Sequence, residues 1–285
     1  MSEQQTDLIQ PIGPLVRRIL APNPSPFTYT GTQTYVVGEG EVAVVDPGPA
    51  VDAHVAAIVQ ALAGERITAI LSTHTHHDHS PAGRPLKALT GAAIIGCAPL
   101  ALSDDGPRAD AGFDGDHVPD RVLTDGESIV GPGWTLTAVA TPGHTSNHLC
   151  YALEETGGLF TGDHVMGWST TVISPPDGDM AAYMASLDKL VARDDKVYYP
   201  AHGEPVEQPQ RLVRGLIGHR KQREGQILRL LGEGPQLIPD MVARMYVGVD
   251  QRLHVAAGRS VLAHLYELRD RGQVRDDGEH WRLAA

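Results

Sequence analysis

Four of the chain's fourteen histidines lie within six residues, in the run Thr73-His74-Thr75-His76-His77-Asp78-His79-Ser80. Crowded imidazoles repel one another once any are protonated. A chain with such a run must either spread it in water or give the rings a cation to share. The run follows Ile67 to Ser72, which reads as a strand. His74 and His76, two apart where that strand ends, direct nitrogens toward one point if the loop bends. Asp78 and His79 serve a second point nearby, since imidazole and carboxylate are both good ligands for zinc.

The alternative of a solvated histidine-rich loop weakens along the rest of the chain. Three more strand-to-loop junctions carry candidate ligands: Thr141-Pro142-Gly143-His144-Thr145, Thr161-Gly162-Asp163-His164 and Pro200-Ala201-His202-Gly203. In each, a glycine beside or near the ligand permits a sharp turn and a close backbone approach.

This ordered set, THTHHDHS, TPGHTSNH, TGDH and PAHGE with VVDPG upstream, resembles the metallo-β-lactamase superfamily over about residues 30 to 205. The resemblance implies an α/β fold, a four-layer αββα sandwich with metals at one edge. Carried over position by position, it implies a first metal site of His74, His76 and His144. A second would hold Asp78, His79 and His202, with Asp163 bridging and Asp46 supporting from behind. Two divalent ions are implied, zinc first and iron or manganese as alternatives. Superfamily members that reduce dioxygen or nitric oxide carry glutamate where this chain has His76, so histidine here favours hydrolysis. Ala201 stands where glycine is common, next to the ligand rather than at it. His77 occupies a variable position and is expected to point away.

A narrower resemblance rests on VMGWSTTVISPPDGDMAAYMASLDKL after TGDH and on GHRKQREGQILRLL after PAHGE. Both are similar to the β-lactamase-like protein 2 group, which joins the catalytic domain to a small winged-helix-like C-terminal domain. That group includes a mitochondrial endoribonuclease acting on single-stranded RNA, and related fungal enzymes release polyketides from carrier proteins as thioesterases. The expected division is a catalytic domain over residues 1–206 and a winged-helix-like domain over 207–285.

Local patterns agree with that division. Residues 34–46 read as two β-branched strands around a Gly-Glu-Gly turn, and 51–62 as an amphipathic helix. Residues 81–89 read as a further helix and 92–95, 134–140, 148–153, 158–161 and 196–199 as strands. Asp179 stands as an N-cap before a helix whose Met180, Tyr183, Met184, Leu187 and Leu190 share a face. Residues 103–126 are acidic and rich in Gly and Pro, a loop or an active-site flap. The tail predicts helices over 209–231, 239–246 and 252–271, then a hairpin turning at Asp277-Gly278.

Charge separates the parts as well. Residues 218–285 carry eleven Lys and Arg against nine Asp and Glu, and the remainder twelve against twenty-six. The larger part is a poor electrostatic trap for nucleic acid. Arg220, Lys221 and Arg223 form the densest positive cluster, expected as a solvated helix face. Two cysteines, Cys97 and Cys150, build no disulfide framework. The absence of an export-like start and of an apolar run of ~20 residues points to a soluble, cytoplasmic protein without a membrane partner.

The expected chemistry is hydrolysis by a hydroxide shared between two ions, with Asp78 orienting it as well as ligating. The acidic catalytic part favours an ester, thioester or lactone, as a small molecule or carrier-linked acyl group. Cleavage of single-stranded RNA is the alternative, and a non-enzymatic winged-helix binding module the third reading. Trp168, Ser169 and Thr170, just after the bridging position, are the candidate substrate contacts. His148 and His164 are candidates for supporting or substrate-facing roles. His54, His117, His219, His254, His264 and His280 are expected to do packing or surface work.

Overall fold

Strands β3 (Gln33–Val37) and β4 (Glu41–Val45) show how the layers arise. Side chains alternate across a strand, and here both faces are apolar. Tyr35, Val37, Ala43 and Val45 enter one core, whereas Val36, Val42 and Val44 enter another. Strands of this kind are buried on both sides. The computed structural model describes residues 8–100 and 112–284.

Seven strands form the first sheet in chain order: β1 (Gln10–Gly13), β2 (Val16–Leu20), β3, β4, β5 (Arg66–Ser72), β6 (Ala93–Gly96) and β7 (Arg121–Val122). The first four are antiparallel neighbours, and β4 through β7 run parallel. The second sheet holds β8 (Ser128–Gly131), β9 (Trp134–Ala140), β10 (Leu149–Leu153), β11 (Gly158–Gly162) and β12 (Val197–Pro200), antiparallel except for β11 and β12. Between the sheets lies a core that includes Leu71, Trp134, Tyr151 and Phe160.

Helices α1 (Asp52–Ala61) and α2 (Gly83–Thr90) cover the outer face of the first sheet through Ile58 and Leu86. Helix α3 (Met180–Val191), capped by Asp179 accepting from the Ala182 amide at 2.7 Å, covers the second through Tyr183, Leu187 and Leu190. The result is the expected αββα sandwich. Four strands escape the sequence patterns: β1 and β2 of the first hairpin, β7 within the expected loop, and β8. Pro11, Gly13 and Pro14 read as breakers, yet they sit in and around an edge hairpin, where proline is tolerated.

The tail contains α4 (Pro209–Gly232), α5 (Ile238–Met245), a 3-10 turn (Gln251–Leu253), α6 (His254–Asp270) and the antiparallel pair β13 (Val274–Asp276) and β14 (Trp281–Leu283). Helix α4 belongs to two cores. Val213 and Leu216 pack against the sandwich, and Ile227, Leu230 and Leu231 pack with Met241, Val261 and Trp281. No helix among the described residues is long and apolar enough to cross a membrane. Residues 103–111 of the expected acidic loop lie outside the described residues.

His54 on α1 is buried with Nε2 2.9 Å from Thr34 Oγ1, and burial pushes its pKa down to about 4. The unfolded ring takes its proton near 6.5, so its contribution to stability is full above that pH and is lost as pH falls toward 4. We expect about 3 kcal/mol of acid-dependent stability from this ring. His54→Gln should flatten the loss between pH 6.5 and 4 in urea titrations. An unchanged slope would remove His54 from the acid response.

Candidate metal centre

Five strand ends meet at one edge of the sandwich. Asp46 follows β4, the run His74 to His79 follows β5, His144 follows β9, Asp163 follows β11 and His202 follows β12. Two glycines make the convergence possible. A Cβ on Gly143, at φ +138°, would lie 2.4 Å from the Tyr183 backbone. A Cβ on Gly162, at φ +48°, would lie 2.6 Å from both His148 Nε2 and Thr73 Oγ1.

The seven residues picked from the sequence come together in two groups. His74, His76, His144 and Asp163 offer ligand atoms all within 4.8 Å of one another, as do Asp78, His79 and His202. His74 Nε2 is 2.9 Å and His144 Nε2 3.1 Å from His76 Nδ1. His202 Nε2 is 3.2 Å from Asp78 Oδ2, and His79 Nε2 is 3.4 Å from the same oxygen. Asp163 stands between the groups. Its Oδ2 is 3.7 Å from His144 Nε2, and its Oδ1 is 3.2 Å from His202 Nε2.

The rings are aimed from behind. Asp46, with φ at 49°, accepts at Oδ1 from the Thr73 amide at 2.8 Å and places Oδ2 3.1 Å from His79 Nδ1. His144 Nδ1 donates to the Val172 carbonyl at 2.7 Å, and His74 Nδ1 lies 3.1 Å from Thr73 Oγ1. Each contact leaves Nε2 facing inward, the usual second partner of a ligating imidazole. Thr171 donates to the Asp163 carbonyl at 2.6 Å and so steadies that turn. Thr171 and Val172 were not among the sequence candidates, although they extend the Trp168-Ser169-Thr170 segment by two residues.

Charge inside the cluster is balanced by proximity. Burial raises the carboxyl of Asp78, but His79 and His202 outweigh it and hold the group below the usual carboxylate range. Asp163 is held down likewise by His202 and His79 against its own burial. Burial works against protonation of His202, yet Asp163 and Asp78 bring it up to about 9. His74 and His76 are pushed down, first by burial and then by neighbouring imidazoles.

These residues fit divalent cations. Oδ1 of Asp78, Oδ1 of Asp163 and Nε2 of His79 are buried and close no hydrogen bond. Such atoms cost about 1–3 kcal/mol each when left without a partner. Cations would satisfy them and displace the protons that now balance the carboxylates. A third acid–histidine group, Glu224, His264 and Glu267, lies between α4 and α6. There Glu224 already pairs with Arg271 at 2.8 Å, a cation in place.

The remaining expectations sort as follows. His77 is exposed. His148 is buried behind His74, its Nδ1 2.9 Å from Thr141 Oγ1. The buried His164 ring packs on Tyr183. Trp168, Ser169 and Thr170 line a cleft of about 280 Å³ that opens onto the cluster. Trp168 is 38% exposed and stacks on Tyr29 with centroids 4.9 Å apart. Part of the lining is a surprise: His219, Arg220, Arg223 and Tyr246 come from the tail. The solvated helix face expected of Arg220, Lys221 and Arg223 holds only for Lys221.

Comparison with known proteins agrees with this geometry. The profile described as the metallo-beta-lactamase superfamily matches residues 28–202, and that of the beta-lactamase associated winged helix domain matches 238–281. The beta-lactamase-like protein 2 homolog of Drosophila melanogaster is 32% identical over 274 residues, 91% of this chain and 89% of that one. An atrochrysone carboxyl ACP thioesterase of Aspergillus fumigatus is 33% identical over 77% of this chain and 66% of its own length. A beta-lactamase domain protein from Burkholderia ambifaria superposes with a TM-score of 0.80 at 21% identity, covering 97% of this chain and 94% of that one. With a profile match over more than half its length and a relative so similar from end to end, the chain belongs to the metallo-beta-lactamase superfamily, within the beta-lactamase-like protein 2 group, and is a metal-dependent hydrolase.

Proposed function

We propose that the chain hydrolyses an ester, thioester or lactone at a pair of divalent ions, zinc foremost. His74, His76 and His144 would hold one ion and Asp78, His79 and His202 the other, with Asp163 shared. The observation that carries this reading is the position of Asp163, with one oxygen toward each group. When bound, such a pair lowers the pKa of a shared water and polarises a carbonyl oxygen. Asp78 turns Oδ2 toward His79 and His202 and would orient the attacking water as well as ligate.

The acyl substrate is supported by the thioesterase among the relatives and by the apolar part of the cleft, formed by Phe27, Met166, Leu253 and Ala256. Carrier-linked acyl groups fall within this reading. RNA cleavage, the alternative reading, draws support from the resemblance to the beta-lactamase-like protein 2 group and from Arg220 and Arg223 in the cleft. A cytoplasmic setting is proposed too, in keeping with two buried free cysteines. We retain the chain division at 206 and 207, with α4 anchoring the second part to the first.

The test is a side-by-side assay of metal-analysed protein on thioesters, esters, lactones, a phosphodiester reporter and single-stranded RNA, with His76→Ala as control. Acyl turnover that disappears in the control is expected. Full metal content with no acyl turnover would overturn the proposal. Trp168→Ala should raise KM for the acyl substrate about fivefold, from a lost stacking surface worth roughly 1 kcal/mol, at unchanged metal content. Equal loss of metal and activity would show that Trp168 holds the centre together instead.

A further inference from the structure

The cleft at the metal centre carries two guanidinium groups that no carboxylate neutralises among the described residues. Arg220 is 3% exposed. It donates from Nη2 to the Thr171 carbonyl and lies 5.1 Å from the Tyr183 ring centroid, and its Nε closes no hydrogen bond. Arg223 lies 4.3 Å above the Tyr246 ring and donates from Nη1 to Gln226 Oε1 at 2.9 Å and to the Met245 carbonyl at 2.7 Å. Its Nε donates to His219 Nε2 at 3.2 Å, and its Nη2 makes no hydrogen bond among the described residues. Neither arginine is ion-paired there.

The Arg223 contact also settles the His219 tautomer. A guanidinium only donates, so His219 Nε2 accepts and Nδ1 carries the hydrogen. That Nδ1 is buried and unpartnered. Burial and the two arginines push His219 down to about 4, so the ring is neutral near pH 7. Three side chains of one helix, at positions 219, 220 and 223, line the cleft, and each has an N–H that closes no hydrogen bond among the described residues. A buried cation without a partner is costly, and unsatisfied donors add to that cost. A bound anion would relieve both. Leu253, Ala256 and Ala257 add an apolar part to the lining of the same cleft.

We infer that His219, Arg220 and Arg223 form an anion subsite for the substrate of the hydrolytic centre, recognising a carboxylate or phosphate on a substrate whose apolar part lies in the same cleft. This rests on the acyl-hydrolase reading above. The anion is either a carboxylate at the end of the acyl chain or a phosphate on the thiol side.

Three thioesters with the same scissile bond distinguish these sources: a neutral acyl chain on N-acetylcysteamine, the same chain ending in a carboxylate, and the neutral chain on phosphopantetheine. One anionic substrate is expected to show a KM at least tenfold below the neutral one, the advantage of a charged hydrogen bond. Arg223→Gln should erase that advantage, raising KM for the anionic substrate about tenfold more than for the neutral one. Arg220→Lys keeps the charge if full removal unfolds the chain, and should reduce the advantage in part.

Calorimetry with a non-hydrolysable thioether bearing the preferred anion supplies a readout independent of turnover. Binding weakened about tenfold by Arg223→Gln supports the subsite even if no acyl substrate turns over, a result that would sink the hydrolase reading alone. Turnover of neutral thioester with no preference for either anion and no thioether binding would sink the subsite alone. Single-stranded RNA cleaved faster than every thioester, at a rate that Arg223→Gln leaves unchanged, would overturn both.

Discussion

Asp163→Ala is expected to abolish hydrolysis while the sandwich stays folded. Asp163 is placed against both histidine groups, with oxygens 3.7 Å from His144 and 3.2 Å from His202. Removing it takes a donor from each group and leaves His79 and His202 without one of the carboxylates that balance them. Outer supporting partners of metal ligands typically cost 10–100-fold when lost. A shared ligand should cost more, on the order of a thousandfold in kcat/KM, with bound metal falling by more than half in elemental analysis. Asp163→Asn keeps one neutral oxygen and should fall between. Wild-type metal content and rate in the alanine variant would refute the bridging assignment. The fold should survive because Asp163 lies at a loop, outside the apolar clusters.

Trp134→Ala is expected to cost the most stability. The ring is 2% exposed in the core between the sheets, and its Nε1 donates to the Glu41 carbonyl at 2.9 Å. It thereby ties β9 of one sheet to β4 of the other. The chain is thinned to receive it. A Cβ on Gly38 or Gly131 would lie 2.4 or 2.1 Å from ring atoms. Neighbours so close-fitted cannot collapse far into the space, so the full cavity cost applies. We expect about 3–5 kcal/mol, a large fraction of a typical domain's stability of roughly 5–15 kcal/mol. Urea unfolding would read this as a fall in midpoint. Trp134→Phe should recover much of the packing but not the hydrogen bond. A loss below about 1 kcal/mol would mean that the sheets are held together elsewhere.

The metal cluster was legible early because its parts are local. Each donor sits where an apolar strand ends in a glycine-bearing loop, and strand, loop and residue type can all be read within a few positions. The Asp179 cap and the Asp277-Gly278 turn were readable for the same reason. The β1–β2 hairpin was not. Its prolines and glycine break the local pattern, and only pairing of Val16–Leu20 with Gln33–Val37 makes it part of the sheet.

Residue type and order along the chain determined which donors stand at the strand ends and which layers the apolar faces must form, since a side chain's chemistry and a strand's alternation are properties of neighbours. Tertiary structure alone decided what those donors face. Arg220 looks like part of a charged surface run until α4 folds back and sets it against Thr171, forty-nine residues away. A contact of that span depends on how two cores share one helix, and short-range spacing carries no trace of it.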